Sequence, residues 1–460
     1  MENAECAVAQ PEGQTLELRR CLGLTSVVMV VVGSVIGSGI FMKPLNVSQA
    51  LPSPLLAYAV WVFLGLIVLL GAFAYGELGA MFPEAGGMYA FLREGWGRGV
   101  AFLYGWCLLL VINTGTMAAL AVAFTRFANR LVPMSELAQI AVAAGMILTL
   151  ALTNHYGVRW GAILQNTATF AKLAALGMLV AAGFLLTRPD AVVPEPVPTE
   201  PAVSLISGLV MAAVAIFWAY EGWYQVTFNA AELRDPARDL PRGLIIGIVI
   251  LIVTYVLVNA VYFHLVPIDE MRTFATDEQV PLTAVQRMFG SGAGVLLSLL
   301  ICLSVFGAAN PSLLSSPRAF YAMARDGLGV RPLMRVHPRW RTPYVAIWAQ
   351  ALWAIVLVVV LKTFKDITEY VVFASLIFYA LTVAAVYRLR RSRPERPRPF
   401  RCPGYPVTPA LFILTLLFVD AYVLFDPVQR RNAVIGLVIL LAGLPVYWLM
   451  TRKGKEPESV

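Results

Sequence analysis

The residues best placed to do chemistry in this chain lie inside apolar runs. Gly33-Ser34-Val35-Ile36-Gly37-Ser38-Gly39-Ile40-Phe41 puts three glycines and two serines within seven residues of a stretch otherwise apolar enough for a membrane helix. These residues weaken helical hydrogen bonding, and no lipid-facing backbone stays unpaired, so a break here must line a polar cavity inside the protein. A half-helix starting at the break would turn the N–H groups of Ser38, Gly39 and Ile40, and the positive end of its dipole, toward a carboxylate. Close packing through small residues is the alternative reading of the same glycines. Two ionisable side chains stand at comparable depth: Glu221, followed by Gly222, within Ile216–Trp223, and Lys172 within Phe170–Ala174. A charged group there costs several kcal/mol unless it finds partners, which makes both residues functional candidates.

The elements that must position these groups are membrane helices. The chain has 460 residues, 59% hydrophobic and 13% charged, with a mean hydropathy of +0.74, which excludes an ordinary soluble protein. Twelve apolar segments of spanning length fall near 25–50, 55–81, 99–125, 135–153, 160–186, 203–229, 243–265, 292–316, 343–361, 367–387, 407–425 and 432–450. With both termini inside, the inner segments carry 24 Lys and Arg against 10 outside, the bias expected of cytoplasmic loops. The net charge of +8 is therefore read as topology and not as a nucleic-acid surface. The first 24 residues lack the short apolar region and cleavage site of a signal peptide.

Glu221 follows Gly37 by 184 residues, and five segments lie in each half, so the pattern predicts an inverted repeat with a site between two broken helices. The expected parts are a cytoplasmic segment 1–24, repeats 25–202 and 203–387, a basic proline-rich loop 388–406, a final helix pair 407–450 and a cytoplasmic tail 451–460. The loop 388–406 reads as an extended connector near anionic lipid headgroups. The outer loop Pro189–Pro201 serves only to join two helices. Five cysteines (Cys6, Cys21, Cys107, Cys302, Cys402) and three histidines (His155, His264, His337) are scattered, so no disulfide framework, metal site, cofactor or catalytic cluster is expected. A membrane enzyme is thereby disfavoured, and a sensor would not need two symmetric breaks.

GSVIGSGIF, FWAYEGW followed by AELRDPARDLPRG (Ala231–Gly243), and ELGAMFPEAGGMYAFL (Glu77–Leu92) together resemble the amino acid-polyamine-organocation superfamily. SVFGAANPSLLSSPRAFYAMARDG (Ser304–Gly327) and VHPRWRTP (Val336–Pro343) are similar to its L-type amino acid transporter branch and bacterial relatives. The resemblance covers nearly the whole chain. It implies a leucine-transporter-like fold, alternating access, and an amino acid held between helices 1 and 6.

Carried over to this sequence, the amides of Ser38 and Gly39 would hold the substrate carboxylate, with Ser34 lining the pocket. The carbonyls of Val35, Trp218 and Glu221 would receive the ammonium. Ile36, Gly37, Ile40 and Phe217 complete the two breaks, Trp218 takes the position of an aromatic gate, and Asn310 that of a pocket residue in helix 8. Lys172 matches a lysine that stands where sodium-coupled members hold sodium, which implies sodium-independent transport; a proton-carrying lysine, and hence proton-coupled uptake, is the alternative. Glu221 departs from the small residue of animal L-type proteins and is read first as a cap for freed amides of helix 6, with a proton carrier or cation selector as alternatives. Glu77 and Arg318 are read as helix-end or inner-gate ion pairs, and Asp420 as packing or assembly. The outer loop Arg126–Ser135 contains no cysteine, so no disulfide-linked heavy chain is expected. The implied protein is an exchanger of neutral L-amino acids in the bacterial inner membrane.

Overall fold

The structure is a computed structural model that describes residues 20–186, 204–361, 364–426 and 430–453. The loop Pro189–Pro201 and most of segments 1–24 and 451–460 lie outside the described residues. Among those described, the fold is all helical, with one isolated parallel bridge between Leu22 and Leu233. The helices are α1 (Leu24–Val35), α2 (Gly39–Ala50), α3 (Pro54–Met81), α4 (Met88–Trp96), α5 (Arg98–Cys107), α6 (Asn113–Leu131), α7 (Glu136–His155), α8 (Val158–Leu185) and α9 (Leu205–Ala219). They continue as α10 (Pro236–Leu265), α11 (Ile268–Arg272), α12 (Gln279–Phe289), α13 (Ala293–Leu314), α14 (Pro317–Arg325), α15 (Tyr344–Leu361), α16 (Phe364–Ser392), α17 (Val407–Phe425) and α18 (Arg430–Lys453).

Nine helices among the described residues are long and apolar enough to cross a bilayer, or ten when α1 and α2 count as one bent span. Two shorter apolar helices, Leu205–Ala219 and Tyr344–Val360, fall below that length. Two of the long helices start at side-chain caps. Ser53 accepts from the Leu56 amide ahead of α3, and Asp235 from the Arg238 amide ahead of α10, each with proline at the first helical position. α5 and α6 form one span joined through a π-turn at Leu108–Ile112. The broken pair sits at the centre: α1 packs against α8, α10 and α13, and α2 against α9.

One helix is not foreseen in the sequence, and one expectation about a loop changes. The segment between α3 and α5 contains the amphipathic helix α4, which buries Met88, Tyr89, Phe91 and Leu92. The basic loop after α16 is not an open connector. Arg390 binds Glu77 at 2.6 Å, Arg393 pairs with Glu94, and Arg396 reaches the Met81 carbonyl and lies over the Phe82 ring. Glu77 is 99% buried, so its charge requires Arg390, Arg398 at 3.5 Å and the Cys402 amide, which donates to it at 2.7 Å. The loop is thereby folded back onto α3 and α4.

Candidate functional site

The helix that starts at Leu24 ends at Val35 and resumes at Gly39 with its axis bent by 47°. Ile36, Gly37 and Ser38 form the break, and all three are buried. Ser38 occupies the N-cap of α2 without a side-chain capping bond; the Phe41 amide donates to the Ser38 carbonyl at 3.1 Å, and the amides ahead of it, Gly39 and Ile40, are the helix-start donors that lack an intrahelical acceptor.

The second break lies alongside. α9 stops at Ala219, Gly222 takes a φ of +101° that a side chain would strain, and the chain continues as a 3-10 turn over Gln225–Glu232. Ser34 donates to the Gly222 carbonyl at 3.0 Å, and the Trp218 indole N–H to Ser38 Oγ at 3.4 Å, so side chains bridge the two breaks in both directions. A Cβ added at Gly39 would lie 2.5 Å from Ala219 Cα, which shows how closely α2 and α9 approach. Phe217, Ile40 and Trp218 are buried around this contact.

Lys172 on α8 reaches the first break. Its ammonium donates to the carbonyls of Ile36 (2.7 Å), Gly33 (2.8 Å) and Ser304 (3.1 Å), which uses all three of its hydrogens. Ser304 on α13 also donates to the Ile36 carbonyl at 3.1 Å. The lysine fits because Gly307 carries no side chain: a Cβ there would come 3.3 Å from Lys172 Nζ. Three carbonyl oxygens around one buried positive charge are a hard-cation environment, here filled by a protein ammonium.

Other candidates land differently from expectation. Val35 is at the break, yet its carbonyl already receives Tyr255 Oη at 3.0 Å, and the Ala219 carbonyl lies 2.7 Å from the same oxygen. One hydroxyl thus ties together the ends of α1 and α9. The Trp218 carbonyl accepts from the Glu221 amide at 3.0 Å. Of the three carbonyls assigned to the substrate ammonium, that of Trp218 has a protein donor and that of Val35 shares the single Tyr255 proton with Ala219.

Glu221 does not cap the amides of its own helix. Its carboxylate accepts from Tyr379 Oη on α16, at 2.7 and 2.8 Å. Tyr75 and Tyr224 pack beside them against Trp223 and Tyr379. Asn310 is not brought to the pocket. Two residues beyond Ala308, which faces Gly37, it turns toward α7 and α8, donating to the Gly161 carbonyl and Gln165 and accepting from Asn154. α13 continues through Pro311 to Leu314.

Groups missed in the sequence are the tyrosines. The hydroxyls of Tyr104, Tyr224 and Ser375 are buried in one group with Tyr379 around the Glu221 carboxylate. Aromatic residues in apolar helices carry no spacing signal that separates pocket from core, so nothing in the chain singled them out.

Ion pairs close the basic end of the bundle. Arg318 on α14 binds Glu232 at 2.9 Å, each 1% exposed, and the Glu232 carbonyl accepts the Cys21 and Leu22 amides. His155 and His337, far apart in sequence, have ring centroids 5.1 Å apart there. Their Nδ1 atoms accept from the Trp348 indole and from the amides of Arg339 and Trp340, which makes them a joint between α7 and the loop before α15.

Two broken apolar helices that meet inside the bundle and are cross-braced by a buried lysine are an arrangement typical of secondary transporters. The chain belongs to the amino acid permease family, whose sequence profile matches residues 22–449. It is 30% identical over 438 residues to the serine/threonine exchanger SteT of Bacillus subtilis, covering 95% of this chain and 98% of that one. It is 31% identical over 461 residues to the rabbit large neutral amino acids transporter small subunit 2, covering 97% and 83%. The human cystine/glutamate transporter is 30% identical over 456 residues, covering 97% and 89%.

Proposed function

We propose that this chain exchanges small or medium neutral L-amino acids across the membrane without sodium, by alternating access around the two breaks. The observation that carries the reading is the Lys172 ammonium seated on the Gly33, Ile36 and Ser304 carbonyls. A fixed positive charge on those oxygens repels a second cation at the same place, which removes the basis for sodium coupling. The first-turn amides of α2 (Ser38, Gly39, Ile40) take the substrate carboxylate, the Glu221 carbonyl the ammonium, and Trp218 covers the aliphatic part. The relatives' names, a serine/threonine exchanger and a large neutral amino acids transporter, support amino acid exchange.

In this reading the ten longer spans and the two shorter apolar helices make twelve crossings, with repeats at 25–202 and 203–387 and both termini in the cytoplasm of a bacterial cell. No cysteine lies in 126–135, so the chain works without a disulfide-linked partner.

The test is uptake of radiolabelled amino acids into proteoliposomes without sodium, with and without unlabelled amino acid inside. Stimulation by internal substrate is the expected result. Equal uptake into empty vesicles driven by a proton gradient would replace exchange by symport.

A further inference from the structure

Away from the site, the bundle carries a cavity of about 300 Å³ at the end opposite the basic loops. Its walls come from four spans: Leu110 and Val111 in the π-turn of the α5–α6 span, Trp353 and Leu357 on α15, Tyr370 on α16, and Ile435 and Ile439 on α18. The lining is almost wholly apolar, and the Trp353 indole N–H is satisfied by the Leu110 carbonyl at 3.2 Å. Trp353 and Ile435, which line it, are each 36% exposed on the outer side of apolar helices, so the cavity is reached from the hydrocarbon and what enters is apolar.

The row of residues on α18 says what that apolar group is attached to. Arg431, Ile435 and Ile439 are spaced four apart and share one face of the helix. Ile435 and Ile439 line the cavity, while Arg431 stands one turn above, about 6 Å along the axis. It is exposed at the edge of the apolar span, which starts at Ala433. Arg431 has no ion-pair partner among the described residues, and Arg430 beside it is also exposed. A guanidinium at headgroup level over an apolar cavity is complementary to a phosphate ester carrying an acyl chain.

We propose that this cavity is a binding site for one acyl chain of an anionic phospholipid, with Arg431 holding the headgroup phosphate. The occupant is a phospholipid of the leaflet at that end of the bundle; a sterol or a second copy of the chain would lack a use for Arg431. The site lies outside the Lys172 and Ser38 region, so it stands or falls independently of the transport reading.

The experiment is native mass spectrometry of the full chain in detergent, titrated separately with phosphatidylglycerol and phosphatidylcholine of identical chains. Wild type should retain phosphatidylglycerol preferentially. Arg431→Ala should weaken its retention roughly fivefold, toward the phosphatidylcholine level, and Arg431→Lys should restore much of it. Ile439→Trp, which fills the cavity, should lower retention of both lipids. Arg431 is a surface position, so its variants test the proposal even if Ile439→Trp folds poorly. Equal retention of the two lipids by wild type, or no change in Arg431→Ala, would overturn it. So would a dimer cross-linked through Trp353→Cys and Ile439→Cys.

Discussion

Lys172 Nζ lies 2.7 Å from the Ile36 carbonyl oxygen, across 136 residues of chain. That bond joins α8 to the point where the first span stops being helical, and Ser304 Oγ meets the same oxygen from α13. Three spans therefore share one acceptor at the break, and any movement of α1 must carry or sever these bonds.

Lys172→Ala removes the donor from the Gly33 and Ser304 carbonyls, at roughly 1–3 kcal/mol for each buried group left unpaired. Exchange measured by counterflow in proteoliposomes should fall by roughly tenfold or more, since a change of ~1.4 kcal/mol in the barrier already gives tenfold. Wild-type flux in the variant would remove Lys172 from the mechanism.

Glu221 and Tyr379 should behave as a coupled pair. Glu221→Ala removes the acceptor of the Tyr379 hydroxyl, Tyr379→Phe removes a donor of the carboxylate and leaves Tyr224 and Ser375 beside it, and each should destabilise by roughly 1–3 kcal/mol. The double variant should then lose less than the sum, because both singles abolish the same bond. Thermal unfolding in detergent gives the cycle, and strict additivity would mean that the bond contributes nothing.

What could be read in the chain followed from local chemistry. Three glycines and two serines mark the first break, and a charged residue in an apolar run marks Lys172 and Glu221, because such groups are costly wherever the helix goes. Partners were not legible. Nothing near Glu221 points to Tyr379, 158 residues on, and nothing near Glu77 points to Arg390, 313 residues on. Asn310 shows the limit from the other side: its type suited a pocket, but the rotation of α13 gave its amide to Asn154, Gly161 and Gln165. The loop after α16 was misjudged for a similar reason, since prolines and arginines look solvated until a buried Glu77 is found beneath them.

Acid should loosen the basic end. Burial alone would raise the Glu94 carboxyl, but its bonds to Arg393 and Arg93 outweigh that and hold it below its ordinary 4.5. A lowered folded value means that the contribution is present above pH 4.5 and is lost as pH falls through the folded value. The difference in melting temperature between wild type and Glu94→Gln should thus be constant from pH 8 to about 5 and shrink below that. A difference that persists at pH 3 would assign the effect to packing.

Gly39 is where α2 and α9 nearly touch, so a single methyl group probes the whole arrangement. In Gly39→Ala the new Cβ would meet Ala219 Cα at 2.5 Å and Ala219 Cβ at 2.9 Å. Backbone cannot yield as a flexible side chain does, and the half-helices must move apart, at roughly 1–3 kcal/mol for overpacking. The displaced element carries the Ser38, Gly39 and Ile40 amides, so the loss should fall on substrate affinity, by roughly tenfold for ~1.4 kcal/mol. Gly177→Ala on α8 is the control, since a Cβ there meets nothing within 4 Å. Substrate-induced thermal shifts on both variants decide it: a lost shift in Gly39→Ala with a normal one in Gly177→Ala places the ligand at the break. Normal shifts in both would mean that the substrate binds elsewhere.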